Sequence, residues 1–124
     1  MRIITVFALA LITVFAAVFL FGCAQKSKSY GQPITKSEIT PIGNILANPE
    51  QFVGKAVKVA GKIAEECPVG GWFFLTDQTG NIYVNLHPNY FAIPQIQGHQ
   101  VVAQGVVKKE YNQISIIGEG VELK

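Results

Sequence analysis

Two glycines, each set inside an alternating apolar run, constrain this chain most. Gly54 to Ile63 reads GKAVKVAGKI and Gly98 to Val107 reads GHQVVAQGVV; both fit G-x-x-V-x-[VA]-x-G-x-[IV], 44 residues apart. Alternation at period two is the mark of a half-buried strand. A glycine inside such a strand (Gly61, Gly105) offers no side chain to pack and marks a bulge or a sharp bend. A solenoid needs at least three units, and here there are two. The pair therefore predicts two strands in equivalent places of one curved, closing sheet.

The residues around them supply the other strands. Ala56 to Glu65 forms the first strand, with Val57, Val59 and Ile63 on one face and Lys58, Ala60 and Lys62 on the other. Cys67-Pro68-Val69-Gly70-Gly71 breaks it. Trp72 to Thr76 is aromatic and apolar, the composition that suits a pleated, half-buried surface. Asp77 to Asn81 is a turn in which Asp77 accepts backbone N–H groups, as Asx turns do. Ile82 to Asn85 resumes the alternation. His87-Pro88-Asn89 opens a short helical turn towards Ile93, limited by Pro94. A fourth strand runs from Gly98 to about Glu110, and a fifth from Gln113 to Ile117. Gly118-Glu119-Gly120 then interrupts, and Val121 to Lys124 closes the chain. Upstream, Thr40 is expected to cap a short helix with Pro41 at its first position. Ile42, Ile45 and Leu46 share one face of that helix, which should cover an open end of the sheet.

This order, with Val57, Val59, Gly61 and Ile63 followed by Phe73 or Phe74, Leu75, Asp77, Thr79, Gly80, Ile82 and Val84, resembles the anticodon-binding-type OB-fold module. The likeness spans Val53 to Leu123. It implies an all-β, five-stranded Greek-key barrel with a short N-terminal helix and a short helix between strands three and four. Such barrels bind oligonucleotides, oligosaccharides or proteins on one face, so the resemblance implies a fold and not a ligand. Exported OB proteins with a Cys pair in the loop before the Trp are also similar; here Cys67 is present and Gly71 stands in place of the second Cys.

The first 22 residues are a different kind of segment. Met1-Arg2 precedes nineteen uncharged residues, Ile3 to Phe21, and Leu20-Phe21-Gly22-Cys23 resembles the lipobox of bacterial lipoproteins. There the Cys23 thiol would carry diacylglycerol after cleavage behind the small Gly22. An uncleaved membrane-spanning helix and a secretory peptide with an incidental cysteine remain the alternatives. All three hold the chain at a membrane or export it. The expected division is a lipoprotein signal peptide over 1–22, a lipidated Cys with a flexible polar tether over 23–40, and the OB-fold domain over 41–124. The protein is expected to be lipid-anchored and extracytoplasmic, with the membrane as its first partner.

Charge narrows the ligand. From Ile42 onward there are six lysines, no arginine and seven acids, a net charge near −1. Nucleic-acid affinity comes mainly from cations that neutralise phosphates. This balance and export both disfavour it, so a protein or an envelope glycan is the preferred ligand class. With Phe73 and Leu75 inward, Trp72 and Phe74 face out; with Ile82 and Val84 inward, Tyr83 and Asn85 face out. Trp72, Phe74, Tyr83 and Asn85, with Lys58 and Lys62 beside them, form the candidate ligand face. A cover of helix or tether over these rings is the competing reading. Cys67, His87 and His99 are the residue types that hold a soft metal, but their spacing matches no ligand set, so no metal or other cofactor is expected. Glu65 and Glu66 are neighbours on a strand and point to opposite faces. No catalytic motif is present, and the chain is read as a binding module rather than an enzyme.

Overall fold

The computed structural model describes residues 28–124. The leader, Cys23 and residues 24–27 lie outside the described residues. The elements are β1 (Ser29–Gly31), α1 (Ile42–Ala47), α2 (Pro49–Phe52), β2 (Ala56–Glu66), β3 (Trp72–Thr76), β4 (Asn81–Asn85), a 3-10 turn (His87–Asn89), β5 (Gln100–Glu110) and β6 (Gln113–Leu123). Among the described residues no helix is long and apolar enough to cross a membrane.

The sheet closes on itself. β2 pairs with β3, β3 with β4, β4 with β6, β6 with β5, and β5 again with β2. Among the described strands the β4–β6 pairing is parallel and the others antiparallel, and a single parallel bridge joins Val53 to Val107. β2 serves two neighbours: Ala56 to Lys62 pair with β5, while Lys62 to Glu66 pair with β3. Gly61 sits at this change of partner, where a Cβ would run into the backbone of Thr76. At Gly105, too, a Cβ would run into backbone, here the Ile117 carbonyl. The register slip beside Gly105 leaves Glu119 without a register partner on β5, between the pairs Gln104–Gly120 and Gly105–Gly118. The Gly118-Glu119-Gly120 stretch therefore bends β6 and does not end it. A bulge turns a strand while the ladder continues on both sides. The expected fifth strand is accordingly longer, reaching Leu123.

Alternation fills the barrel. Val57, Val59, Ile63, Phe73, Leu75, Ile82 and Val84 point inward and are buried, joined by Val101, Ala103, Val107, Ile116 and Val121. The upper end, next to the 77–80 turn, is plugged by Ile42 and Ile45 of α1, both fully buried. Burying such a side chain contributes about 1.5–3 kcal/mol. The lower end is plugged by Leu86, Ile93 and Ile96. The expected helix between strands three and four is reduced to the single 3-10 turn, since Tyr90 takes a left-handed φ of 56° and stops it.

Two local expectations change. Thr40 does not cap α1: Pro41 holds the cap position, without a side-chain hydrogen bond. The free N–H groups of the first turn are met from across the barrel. Ile42 N–H donates to Asp77 Oδ2 at 2.9 Å, and Gly43 N–H to Thr79 Oγ1 at 2.7 Å. Residues 28–40, read as part of a flexible tether, are instead laid along the barrel. β1 pairs with Gly120 to Glu122 of β6, Gln32 N–H donates to the Glu119 carbonyl, Thr35 and Lys36 N–H both donate to Gln104 Oε1 at 2.9 Å, and Thr40 N–H donates to the Lys58 carbonyl. A backbone that runs over a surface needs partners for its donors, and β6 and Gln104 provide them.

Candidate functional site

The outer wall of β3 and β4 carries the aromatic residues. Their register is Trp72–Asn85, Phe73–Val84, Phe74–Tyr83 and Leu75–Ile82. Opposite residues share a face, so burial of Phe73, Leu75, Ile82 and Val84 turns Trp72, Phe74, Tyr83 and Asn85 outward. All four are half-buried. The rings touch one another: Phe74 to Tyr83 5.3 Å, Trp72 to Tyr83 5.8 Å and Trp72 to Phe74 5.9 Å between centroids. The Trp72–Phe74 pair is edge-on, a favoured aromatic geometry. The hydrogen bonds of the 28–40 segment go to β2, β5 and β6, and those of α1 to the 77–80 turn. None goes to this wall, so the rings cover each other and form one continuous patch.

The neighbours of the patch are only partly those expected. Phe74 faces Glu65 across β2, not a lysine, and Lys62 lies one step along, opposite Thr76. Lys58 is outside the β2–β3 pairing altogether: it faces Gln104 on β5. The double partnership of β2 carries Lys58 around the corner. On the other side Tyr83 faces Ser115 and Asn85 faces Ile117, and Ser115 faces Lys108. The Lys108 Nζ is 2.7 Å from Glu110. The row that crosses the patch thus runs from Glu65 to a paired lysine, without an excess of positive charge.

Three groups near the site titrate away from their ordinary values. Burial raises the Tyr83 phenol, and negative charge on Cys67 raises it further. The backbone N–H groups of Gly71 and then Val69 hold the Cys67 thiol below its usual value against the opposing effect of burial. Burial raises Asp77, but bonds from the Thr79 hydroxyl and from the N–H groups of Ile42, Thr79 and Gly80 outweigh it and leave the carboxyl lowered. Asp77 Oδ1 accepts from Thr79 N–H, Thr79 Oγ1 and Gly80 N–H at 2.6–2.9 Å, so the expected Asx turn is present and also caps α1.

Cys67 is a buried free thiol at the rim of the patch, its N–H donating to the Trp72 carbonyl. The chain order gives no sign of that neighbourhood, because the 67–71 turn decides it. His87 packs its ring on Gly71, where a Cβ would collide with it. His99 lies instead at the entry of β5, its carbonyl accepting Ile63 N–H. Cys67, His87 and His99 are not gathered into one cluster, and no group of three metal-ligating side chains forms among the described residues. Glu65 and Glu66 part as expected: Glu65 is exposed, and both Glu66 oxygens accept N–H groups, from Ile96 and Gln97 at 2.9 Å.

Among solved structures, 29 chains match this one. The hypothetical protein YgiW of Escherichia coli superposes with a TM-score of 0.53 at 18% identity, over 75% of this chain and 100% of that one. A protein from Leishmania major Friedlin described as an aspartyl-tRNA synthetase superposes with a TM-score of 0.51 at 16% identity, over 75% of this chain. The match spans 23% of that longer chain. These likenesses, with the closed five-stranded order, identify the domain as an all-β OB-fold. No family model and no curated protein matches the sequence.

Proposed function

We propose that the chain is an exported, membrane-anchored binding module that holds a protein or an envelope glycan on the outer wall of β3 and β4, without chemistry of its own. The observation that carries this reading is the mutual contact of Trp72, Phe74 and Tyr83 in one outward patch. Aromatic faces stack on sugar rings and on apolar protein surface alike, and the polar rim of Asn85, Ser115 and Glu65 suits hydrogen bonding at its edges. The leader ending in Leu20-Phe21-Gly22-Cys23 supports anchoring and export.

Trp72 is the one tryptophan of the chain, so its emission reports directly on the patch. Titration with oligosaccharides cut from the cell envelope, and with envelope protein fractions, should give a saturable change in emission. Phe74→Ala and Tyr83→Ala should each remove it while leaving the melting temperature cooperative. Saturation that survives both substitutions places the ligand elsewhere. The anchor is read by mass: a diacyl increment at Cys23, absent in Cys23→Ser.

A second reading is single-stranded nucleic acid, favoured by the OB-fold and by the synthetase among its neighbours in structure. Base–aromatic stacking supplies about 1–3 kcal/mol per base, but the phosphate-neutralising cations are few here. Oligonucleotide affinity that is absent even at low salt ends this reading.

A further inference from the structure

We propose that the lower end of the barrel, with Val69 and Tyr90 at its tips, rests on the headgroup layer of the bilayer that holds the leader. Val69 is 76% exposed and Tyr90 96% exposed. They belong to two loops bonded to each other: Ile93 N–H donates to the Gly70 carbonyl and Leu86 N–H to the Gly71 carbonyl. Between the tips lies an open hollow of about 330 Å³, lined by Val69, Gly71, His87, Tyr90, Phe91 and Ala92. It has an apolar and aromatic lining with one imidazole.

The chain enters the fold at this same end. β1 takes the place along β6 that β4 leaves vacant after Asn85, pairing with Gly120 to Glu122. The Phe91 ring lies 2.8 Å from the position a Gly31 Cβ would take, and Phe91 also lines the hollow. Ser29 is fixed in the sheet and Cys23 is six residue steps before it, a reach of at most roughly 20 Å at about 3.3–3.6 Å each. A flexible spacer reaching to residue 40 would have left the barrel free to tumble. The bonded strap leaves it short-leashed, with the lower end towards the anchor.

The tips suit that neighbour. A tyrosine ring is apolar in its body and polar at its hydroxyl, and such rings collect at the membrane interface. Two side chains give only marginal membrane affinity alone, so this contact works jointly with the anchor, which supplies the local concentration. Tyr111, at 103% exposure, offers the contrast. It lies on the turn at the far end of the β5–β6 hairpin, near α2, where Lys109 Nζ is 3.8 Å from Glu50. In this posture the aromatic wall stands upright on the membrane and opens sideways, to a ligand lying along the surface. The proposal rests on the membrane-anchored reading of the leader.

The test uses the full-length protein, isolated with its own modification and reconstituted into phosphatidylcholine vesicles containing a headgroup nitroxide lipid. Trp72 begins β3 at the lower end and is the probe. Floated protein should show Trp72 emission quenched by the nitroxide. The double variant Val69→Ser, Tyr90→Asn should float equally and lose at least half of the quenching; asparagine tolerates the left-handed backbone at 90. Tyr111→Ser should behave as the unaltered protein. Flotation without quenching, or quenching equal in the double variant, overturns the docking surface and leaves the anchor standing. A chain that does not float overturns the anchor and the docking surface together.

Discussion

Asp77 joins two parts of the molecule with one carboxylate. Oδ1 closes the 77–80 turn and Oδ2 caps α1. Its lowered pKa means that the folded state favours the charged form, so this contribution is present above the unfolded value of about 3.9 and is lost as pH falls through the folded one. Asp77→Asn should lower stability by about 1–3 kcal/mol at neutral pH, and the gap to the unaltered protein should narrow below about pH 4. Urea unfolding at pH 7 and pH 3 measures both. Gln104 is the other residue of this kind. It is the one buried polar side chain among the described residues, and it receives two backbone N–H groups of the strap. Gln104→Leu leaves both donors unpaired, at a cost of about 1–3 kcal/mol. Hydrogen exchange at Thr35 and Lys36 should accelerate before exchange in β3 does.

β1 has three residues, yet it ties the start of the described residues to the barrel. It holds because β6 bends at Glu119 and presents a free edge beyond the end of β4. Gly120 lets the strap approach, since a Cβ there would collide with the Gln32 carbonyl. Gly120→Ala should therefore release residues 28–32. Amide protection at Tyr30 and Gln32 should fall, while β2 and β3 keep theirs. Equal protection in the variant would show that the strap is held by Gln104 alone. α1 makes the complementary case. At six residues it is too short to stand alone, and it persists because Ile42 and Ile45 plug the barrel and Asp77 and Thr79 cap it.

The closed barrel depends on the last strand. β6 joins β4, β5 and β1, so removing residues 119–124 takes Val121 from the core, leaves the start of β5 paired with β2 alone and strips β1 of its partner. The truncated chain should lose cooperative thermal unfolding and its near-UV circular dichroism. A sharp transition after truncation would mean that the β2–β3–β4 meander folds alone. Charge also acts at this scale. With acids and lysines nearly balanced and the Lys108–Glu110 pair at the edge of the patch, the domain lacks the positive field that draws nucleic acid.

Period-two alternation and two mid-strand glycines determined the strands of a closing sheet, their inward residues and the aromatic wall, and the resemblance of the Val57 to Val84 pattern pointed to an OB barrel. These signals are local, and a side chain that must point inward does so wherever the strand lies. The lysines, the strap and the caps needed the tertiary structure. Lys58 leaves the wall because β2 changes partner at Gly61. Gln25 to Thr40 has no period, yet its residues 28–40 are ordered by donors and acceptors elsewhere in the chain. Thr40 gives up its cap to a carboxylate 37 residues later in the chain. Long-range hydrogen bonds leave no local pattern, and here they decide how residues 28–40 lie along the barrel.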